Sequence, residues 1–359
     1  MRWLVLVAGL LGLGAAGPVA AGVASPVNQH GPITITSNAG FTSCACVTSG
    51  TGTAANPYVI GPWQITNESS GGYAVNIDNT AGTITASFTI TGISTGYNDA
   101  STTNPVIRIV RVTIPTVVSN VSANGDGVGL DLESSSNITL DNLSFNKMNG
   151  TGLLFNNDSY VTVTNGKFKA TGDHITPHQG DGLYAVNSSH LQIGGVAACP
   201  NSTPCNSFDY DSGWSVYLQN THDVNIEHAT ATATDTGGYI LDGANTYNVD
   251  LGNSGAQSTG PICITQNGQK FATGYVSDLQ GGILLVNGAH NNTIHDDITG
   301  PNTGFSIGSG GNGVYFDPCA NQNVPFSPVE GAMGANNTFT NDCWQTTDIA
   351  NLPPSSCKS

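Results

Sequence analysis

The feature that most limits what this chain can fold into is a set of residue columns recurring every 23 to 45 residues. Leu140, Val163, Ile193, Ile226, Leu251 and Ile294 stand at equivalent points and define the lead column. Two residues earlier come Ile138, Val161, Leu191, Val224 and Val249, with a polar exception at Asn292. Ten residues earlier come Leu130, Leu153, Leu183, Val216, Leu241 and Leu284, all aliphatic. Thirteen residues earlier come Gly127, Gly150, Gly180, Gly213, Gly238 and Gly281. Repetition at such intervals is the mark of a stacked repeat architecture.

Each unit reads as a glycine turn, a short alternating strand, a polar bend and a second short strand. Alternation sends one face of each strand inward. The bend holds Asn137, Tyr160, His190, Asp223, Asn248 and Asn291, and Asn142 and Asn165 stand two residues after the lead column. Asparagine suits such places because its short amide satisfies turn backbone and tolerates left-handed conformations. No unit can bury its apolar face alone, so neighbours must stack. The period-2 pattern and the glycines exclude helical repeats. The expected fold is all-β: a right-handed parallel β-helix, a solenoid with N- and C-terminal caps.

The pattern fades before residue 105, where Tyr73–Ile77 and Ser87–Ile90 still read as strands. The segment Gly52-Thr-Ala-Ala-Asn-Pro-Tyr-Val-Ile60 reads as the N-terminal cap, and Asn336 and Asn341 around Phe339 continue the ladder. Residues 25–104 are therefore expected to hold the cap and early rungs, 105–345 the main solenoid and 346–359 a closing tail.

Arg2 followed by the apolar run Leu4–Leu13 and small residues up to Ala24 has the layout of a cleaved export signal, residues 1–24. A secreted protein that is not an integral membrane protein is expected. Eight cysteines then read as disulfides. Cys199 and Cys205 are expected to pair, whereas Cys44 and Cys46 read as too close together to pair with each other. Only 9% of residues are charged, the net charge is −16, and only Lys270 and Lys358 are cationic beyond Lys169. Nucleic acid, which needs clustered Lys and Arg, is a poor partner.

The Gly-x-x-x-Asn-Pro-Tyr-Val-Ile segment and the Asn-x-Thr-rich rungs resemble the NosD-like and pectate-lyase-like right-handed parallel β-helix repeat superfamily. The resemblance covers most of residues 50–345 and implies the fold, but its members range from lyases, hydrolases and epimerases to proteins without chemistry. Pectate-lyase-like elimination wants Arg or Lys at a uronate, and none aligns with the acidic loops. The polygalacturonase-like acid motifs are absent, and Thr176-Pro-His178 and Asp317-Pro-Cys319 only partly match the Asp-Pro-His of mannuronan-epimerase-like proteins. Three methionines give no support to copper handling.

Successive lead-column residues are 23, 30, 33, 25 and 43 residues apart, with a further 45 to Phe339, so four units carry insertions, expected to project from one side of the solenoid as the walls of a groove. His174, His178, Asp181, Asp209, Asp211 and Asp235 come from three consecutive units. Paired acids are what glycoside hydrolysis needs, and histidine serves as general base or metal ligand. His174, His178, Asp181, Asp211 and Asp235 are the candidate catalytic residues. Tyr184 and Tyr217, with Tyr210 and Trp214, are the candidate substrate-binding residues, the two outward tyrosines forming a sugar platform. Asp181 and Asp235, each near a glycine, equally suit plain turn-shaping. No cofactor is expected, with Ca²⁺ the cation that would bridge charges to an acidic glycan. The expected role is surface-structural or polysaccharide-binding at the cell exterior. A polysaccharide-active enzyme and a filament or sheath subunit are the alternatives, the last as a homo-oligomer joined by edge pairing.

Overall fold

A computed structural model describes residues 28–66, 72–97, 104–125, 127–170, 178–194, 206–209, 211–227, 229–232, 237–252, 263–265, 281–295, 298–299, 314–316 and 338–340. It is almost all β, with parallel strands in two sheets. The ten-stranded sheet takes one strand per unit in chain order, from Ile33–Ile35 through Leu153–Asn156, Leu183–Val186, Trp214–Gln219 and Gly237–Asp242 to Val314–Phe316. Its pairs are parallel except the last, which is antiparallel. Strands that pair in chain order and in parallel across intervening strands of a second sheet are consistent with a β-helix.

The lead column pairs without a slip from Leu140 through Val163, Ile193, Ile226, Leu251 and Ile294 to Phe339. Upstream, Ile90 and Val118 extend it towards the N-terminus. The polar exception is built in: Asn292 is buried, its Oδ1 accepting from Val249 N at 3.0 Å and its Nδ2 donating to Thr246 O at 3.4 Å.

Each unit holds three strands, not two. The nineteen-stranded sheet contains two parallel ladders, the second running through Lys167–Ala170, Asn206–Phe208, Ala229–Thr232 and Cys263–Thr265. In Thr116–Asn124 and Ser136–Met148 the two strands are one, bent at Asn120 (φ 54) and Asn142 (φ 53). The marker of the third strand is Phe145, Phe168 and Phe208, whose rings follow one another at 6.1 and 5.1 Å. Phe145 and Phe168 each stand five residues after the lead column, but Phe208 stands fifteen after it, behind an insertion that hides the column from a fixed spacing. The extra lengths therefore fall at two corners. Residues 195–205 and 253–262 join the two ladders of one sheet, whereas 171–177, 233–236 and 266–280 lead back to the ten-stranded sheet.

Gly127, Gly150, Gly180 and Gly213 do stack, each amide donating to the preceding glycine's carbonyl at 2.6, 2.9 and 2.8 Å. Gly238 and Gly281 do not continue the column, because Trp214 pairs with Gly237 and Gly237 with Gly281. The turns Gly243–Asn248 and Asn287–Asn291 are longer than Asn220–Asp223, so a fixed count back from the lead column falls short. For the same reason Val216 pairs with Tyr239, not Leu241. Among these column glycines a left-handed φ is found at Gly180 (φ 91). Close approach explains Gly213, where a Cβ would collide with Asp181 Oδ1 and stand 3.0 Å from the Gly180 carbonyl carbon.

The bend after the ten-stranded sheet is made differently. Asn137, Tyr160, His190, Asp223, Asn248 and Asn291 all have φ between 52 and 61°. Ser134, Asn157, Asn187 and Asn220 form a second left-handed column three residues earlier. Between the columns a polar ladder is buried. Val112 N donates to Ser135 Oγ (3.1 Å), Ser135 N to Asp158 Oδ1 (2.6 Å), Asp158 N to Ser188 Oγ (3.1 Å), Ser188 N to Thr221 Oγ1 (3.3 Å) and Thr221 N to Thr246 Oγ1 (3.3 Å). Turn amides that point into the stack would otherwise go unpaired at a cost of about 1–3 kcal/mol each.

At the N-terminal end, helix Asn38–Ser43 is capped by Ser37, and Val47–Ser49 pairs antiparallel with Tyr58–Ile60. Phe41 lies 5.2 Å from both the Tyr58 and the Phe88 ring, fixing this end to the first parallel strands. Cys44 and Cys46 form a disulfide with each other, contrary to the sequence expectation. The turn after the helix brings their Cα atoms to 5.0 Å, inside the range of roughly 4.4–6.8 Å that the bond requires. Cys199 and Cys205, residues 1–24 and the tail 346–359 lie outside the described residues.

Candidate functional site

The outer face of the ten-stranded sheet carries Arg108, Asp131, Leu154, Tyr184 and Tyr217 in register. Two residues on, Glu133, Asn156, Val186, Gln219 and Asp242 form a neighbouring column. At the N-terminal end of this face Arg108 is surrounded by carboxylates: Glu133 at 2.7 Å, Asp131 at 3.6 Å and Asp78 at 3.8 Å. Burial raises the Asp131 carboxyl to about 6, against the opposing pull of Arg108.

Farther along, three rings meet. His178, held at φ 65 by the turn that precedes the strand, stacks on Tyr184 with centroids 3.7 Å apart and planes 6° apart. Tyr217 stands edge-on to both, 4.7 Å from His178 and 5.4 Å from Tyr184. The tyrosines thus make a right-angled corner, not the flat platform expected from their spacing, because His178 covers one face of Tyr184. Both rings are half-buried.

Their hydroxyls are anchored. Tyr184 donates to Gln219 Oε1 (2.6 Å) and Tyr217 to Asp242 Oδ2 (2.6 Å). Asp242 also accepts from Gln219 Nε2 (3.3 Å) and Asn287 Nδ2 (2.6 Å). Burial and the adjacent Asp242 carboxylate push the Tyr217 hydroxyl far above its usual range, so it remains a donor. Gln219, Asp242 and Asn287 were missed in the sequence. The longer turn after Asp242 shifts the count and conceals that Asp242 stacks on Gln219.

The acids of the site point inward. Asp181 is 2% exposed; its Oδ1 accepts from Trp214 N at 2.7 Å and its Oδ2 faces His178 Nδ1 at 3.2 Å. Asp211 is 1% exposed; its Oδ1 accepts from Ala170 N at 2.7 Å and its Oδ2 has no hydrogen-bond partner. Burial drives the Asp211 carboxyl well above the usual range. Each carboxyl therefore serves a backbone amide at the turn. Trp214 is 3% exposed and lies inside the wall rather than on its surface.

The structure brings together His178, Asp181, Tyr184 and Tyr217, and Asp211 lies one turn along, near Gly182. Asp209 sits apart, bonded by Ser207 and Thr230. His174, Tyr210 and Asp235 lie outside the described residues. Among the described residues no group of three or more His, Cys, Asp or Glu is arranged to hold a metal, and no helix is long and apolar enough to cross a membrane.

No family model matches the chain, and no curated protein matches it in sequence. Solved structures give loose likenesses. The surface adhesin PfbA of Streptococcus pneumoniae is 12% identical with a TM-score of 0.34, over 79% of this chain and 82% of that one. A second structure of that adhesin is 10% identical, TM-score 0.25, over 88% and 81%. An alginate lyase from Paenibacillus sp. str. FPU-7 is 10% identical, TM-score 0.21, over 86% and 95%. At such scores none of their residues is carried over.

Proposed function

We propose that the protein is a secreted right-handed parallel β-helix of the NosD-like and pectate-lyase-like kind, capped at both ends, that binds polysaccharide at the cell exterior. Residues 1–24 would be removed on export, 25–104 would form the N-terminal cap and early rungs, 105–345 the solenoid and 346–359 the closing tail. The binding site is the His178–Tyr184–Tyr217 corner. The observation that carries this reading is the anchoring of both tyrosine hydroxyls to Gln219 and Asp242, which leaves half-exposed rings on a rigid strand scaffold. Rigid amphipathic rings give large contact area at low entropic cost, as a sugar site requires.

Binding is favoured over cleavage by where the acids point. Hydrolysis needs two carboxyls flanking the scissile bond. Asp181 and Asp211 are buried and engaged by the amides of Trp214 and Ala170. The enzymatic alternative keeps one supporting feature, the His178–Asp181 pair at 3.2 Å, which orients the imidazole as a general base would need. Glycan-array binding and reducing-sugar release, measured on wild type and on Tyr184→Leu/Tyr217→Leu, separate the two. Binding without release, lost in the double variant, supports the binding protein. Release abolished by Asp181→Asn supports the enzyme, and filaments with neither signal support a structural subunit.

A further inference from the structure

The asparagines that shape the turns also stand in a second pattern, Asn-x-Ser or Asn-x-Thr, seven times among the described residues. In an exported chain that pattern is the acceptor of an N-linked oligosaccharide, and it calls for an asparagine on the surface. The turns account for five of these asparagines without it. Asn137 Nδ2 donates to Thr113 O at 3.0 Å, Asn142 Nδ2 to Asn120 Oδ1 at 2.7 Å, and Asn157 Nδ2 to Ser134 Oγ at 3.1 Å. Asn120 Nδ2 donates to Thr91 Oγ1 at 3.3 Å, and Asn149 Nδ2 to Gly125 O at 3.4 Å. Each of the five ties one unit to the unit before it, and a sugar on its nitrogen would break that tie.

Two are left over. Asn187 and Asn291 are exposed, with φ of 51 and 53°, and neither side chain makes a hydrogen bond among the described residues. Their backbone is engaged: Asn187 N donates to Gln219 O at 3.0 Å, and Asn291 O accepts from Asn248 N at 3.2 Å. These two turns therefore use the left-handed backbone, which glycine would supply as readily, and make no use of the amide side chain.

We propose that Asn187 and Asn291 are N-glycosylation sites, each carrying an oligosaccharide on Nδ2. The proposal rests on the export reading, because N-linked transfer acts on chains that leave the cytoplasm. The donor is a lipid-linked oligosaccharide diphosphate. Nδ2 forms a bond to the anomeric carbon, the bond from that carbon to the diphosphate oxygen breaks, and the departing lipid diphosphate takes up the proton that Nδ2 loses. Asn157 and Asn187 hold equivalent places in successive units, since Asn156 pairs with Val186, about one 4.8 Å strand spacing apart. A sugar ring fills that spacing, so one glycan there excludes another, and the uncommitted amide is the one that accepts it. Both sites lie at the corner after the ten-stranded sheet, off the face that carries Tyr184 and Tyr217. In a chain with only 9% charged residues, such a glycan adds hydrophilic cover that charge does not supply.

The chain released by its own source cells is cut beside aspartate, and mass spectrometry with fragmentation assigns each sugar to its asparagine. Asn187 and Asn291 should carry sugar in most molecules, and the five bridging asparagines should be bare. Ser189→Ala should remove the sugar from Asn187 while leaving the left-handed residue in place, with unchanged thermal unfolding, and Ser189→Thr should retain it. A bare Asn187 or Asn291 on a chain that has lost residues 1–24 would overturn the proposal for that site, with the export reading intact. Sugar on Asn187 in Ser189→Ala, or equal occupancy of the bridging asparagines, would also overturn it. A chain that keeps residues 1–24 and stays inside the cell would overturn the export reading and this proposal with it.

Discussion

The two corners that flank each strand of the ten-stranded sheet turn the chain by different means. The corner before the strand is closed by backbone stacking, glycine amide on glycine carbonyl, and the chain arriving there varies in length from unit to unit. The corner after it is built on two left-handed residues around a buried polar ladder, and its length hardly changes until residue 243. Stacking the backbone alone constrains little upstream, so this corner accepts insertions and gathers His178, Asp181 and Asp211. A corner that fixes two dihedrals per unit keeps register.

The largest effect expected belongs to neither corner. Leu153 is buried between Leu130 and Leu183, and Leu153→Asp should cost about 4 kcal/mol or more, or prevent folding, by burying an unpaired carboxylate. Unchanged thermal unfolding would mean the register is wrong.

At the glycine corner, Gly213→Val should cost about 2–3 kcal/mol more than Ser212→Val, because its Cβ would meet Asp181 and the Gly180 backbone. Denaturant midpoints measure the difference, and equal midpoints would remove close approach as the reason for that glycine.

Both corners bury acids, and this gives a pH dependence. Burial raises Asp158 to about 8, Asp131 to about 6 and Asp211 well above the usual 3.8. Between 3.8 and those values the folded chain holds protons that the unfolded chain has released. Their contribution is full at low pH and is lost as pH rises through the folded values. Thermal stability should therefore increase from pH 8 down to about pH 4, below which the lowered Asp78 and Asp223 act in the opposite sense. Asp211→Asn, neutral at every pH, should flatten the slope, and a wild-type slope of opposite sign would contradict the burial account.

The smallest effect lies at the asparagine corner. Asn137→Gly should change stability by less than about 0.5 kcal/mol, and Asn137→Val should cost about 1–2 kcal/mol, since valine resists a left-handed φ. A harmless valine would show that the amide's bond to Thr113 O at 3.0 Å matters as little as the dihedral.

The lead column was legible because burial enforces alternation: its every pairing from Leu140 to Phe339 follows from the sequence, whereas the column ten residues earlier holds only as far as Val216 and fails at Leu241 and Leu284. The third strand was not, since its column shows as an equal spacing only at Phe145 and Phe168 and is displaced by an insertion before Phe208. The buried ladder through Ser135, Asp158, Ser188, Thr221 and Thr246 stood five residues before the lead column, visible as small or acidic residues but not as buried ones. Of the site, Tyr184 and Tyr217 were legible from outward phase, whereas Asp242 needed the two-residue shift of its turn. That Asp181 and Asp211 face inward depends on which amides lack partners, which no spacing encodes.

The central claim is that the rings form the glycan site and the buried acids form the architecture beneath it. Calorimetric titration of the tightest array glycan into wild type, Tyr217→Leu and Asp211→Asn tests it most directly. The account predicts a loss of about tenfold or more, roughly 1.4 kcal/mol, for Tyr217→Leu, and affinity within about twofold of wild type for Asp211→Asn, which changes only the pH slope of unfolding. Full affinity in Tyr217→Leu with binding abolished in a folded Asp211→Asn would contradict it.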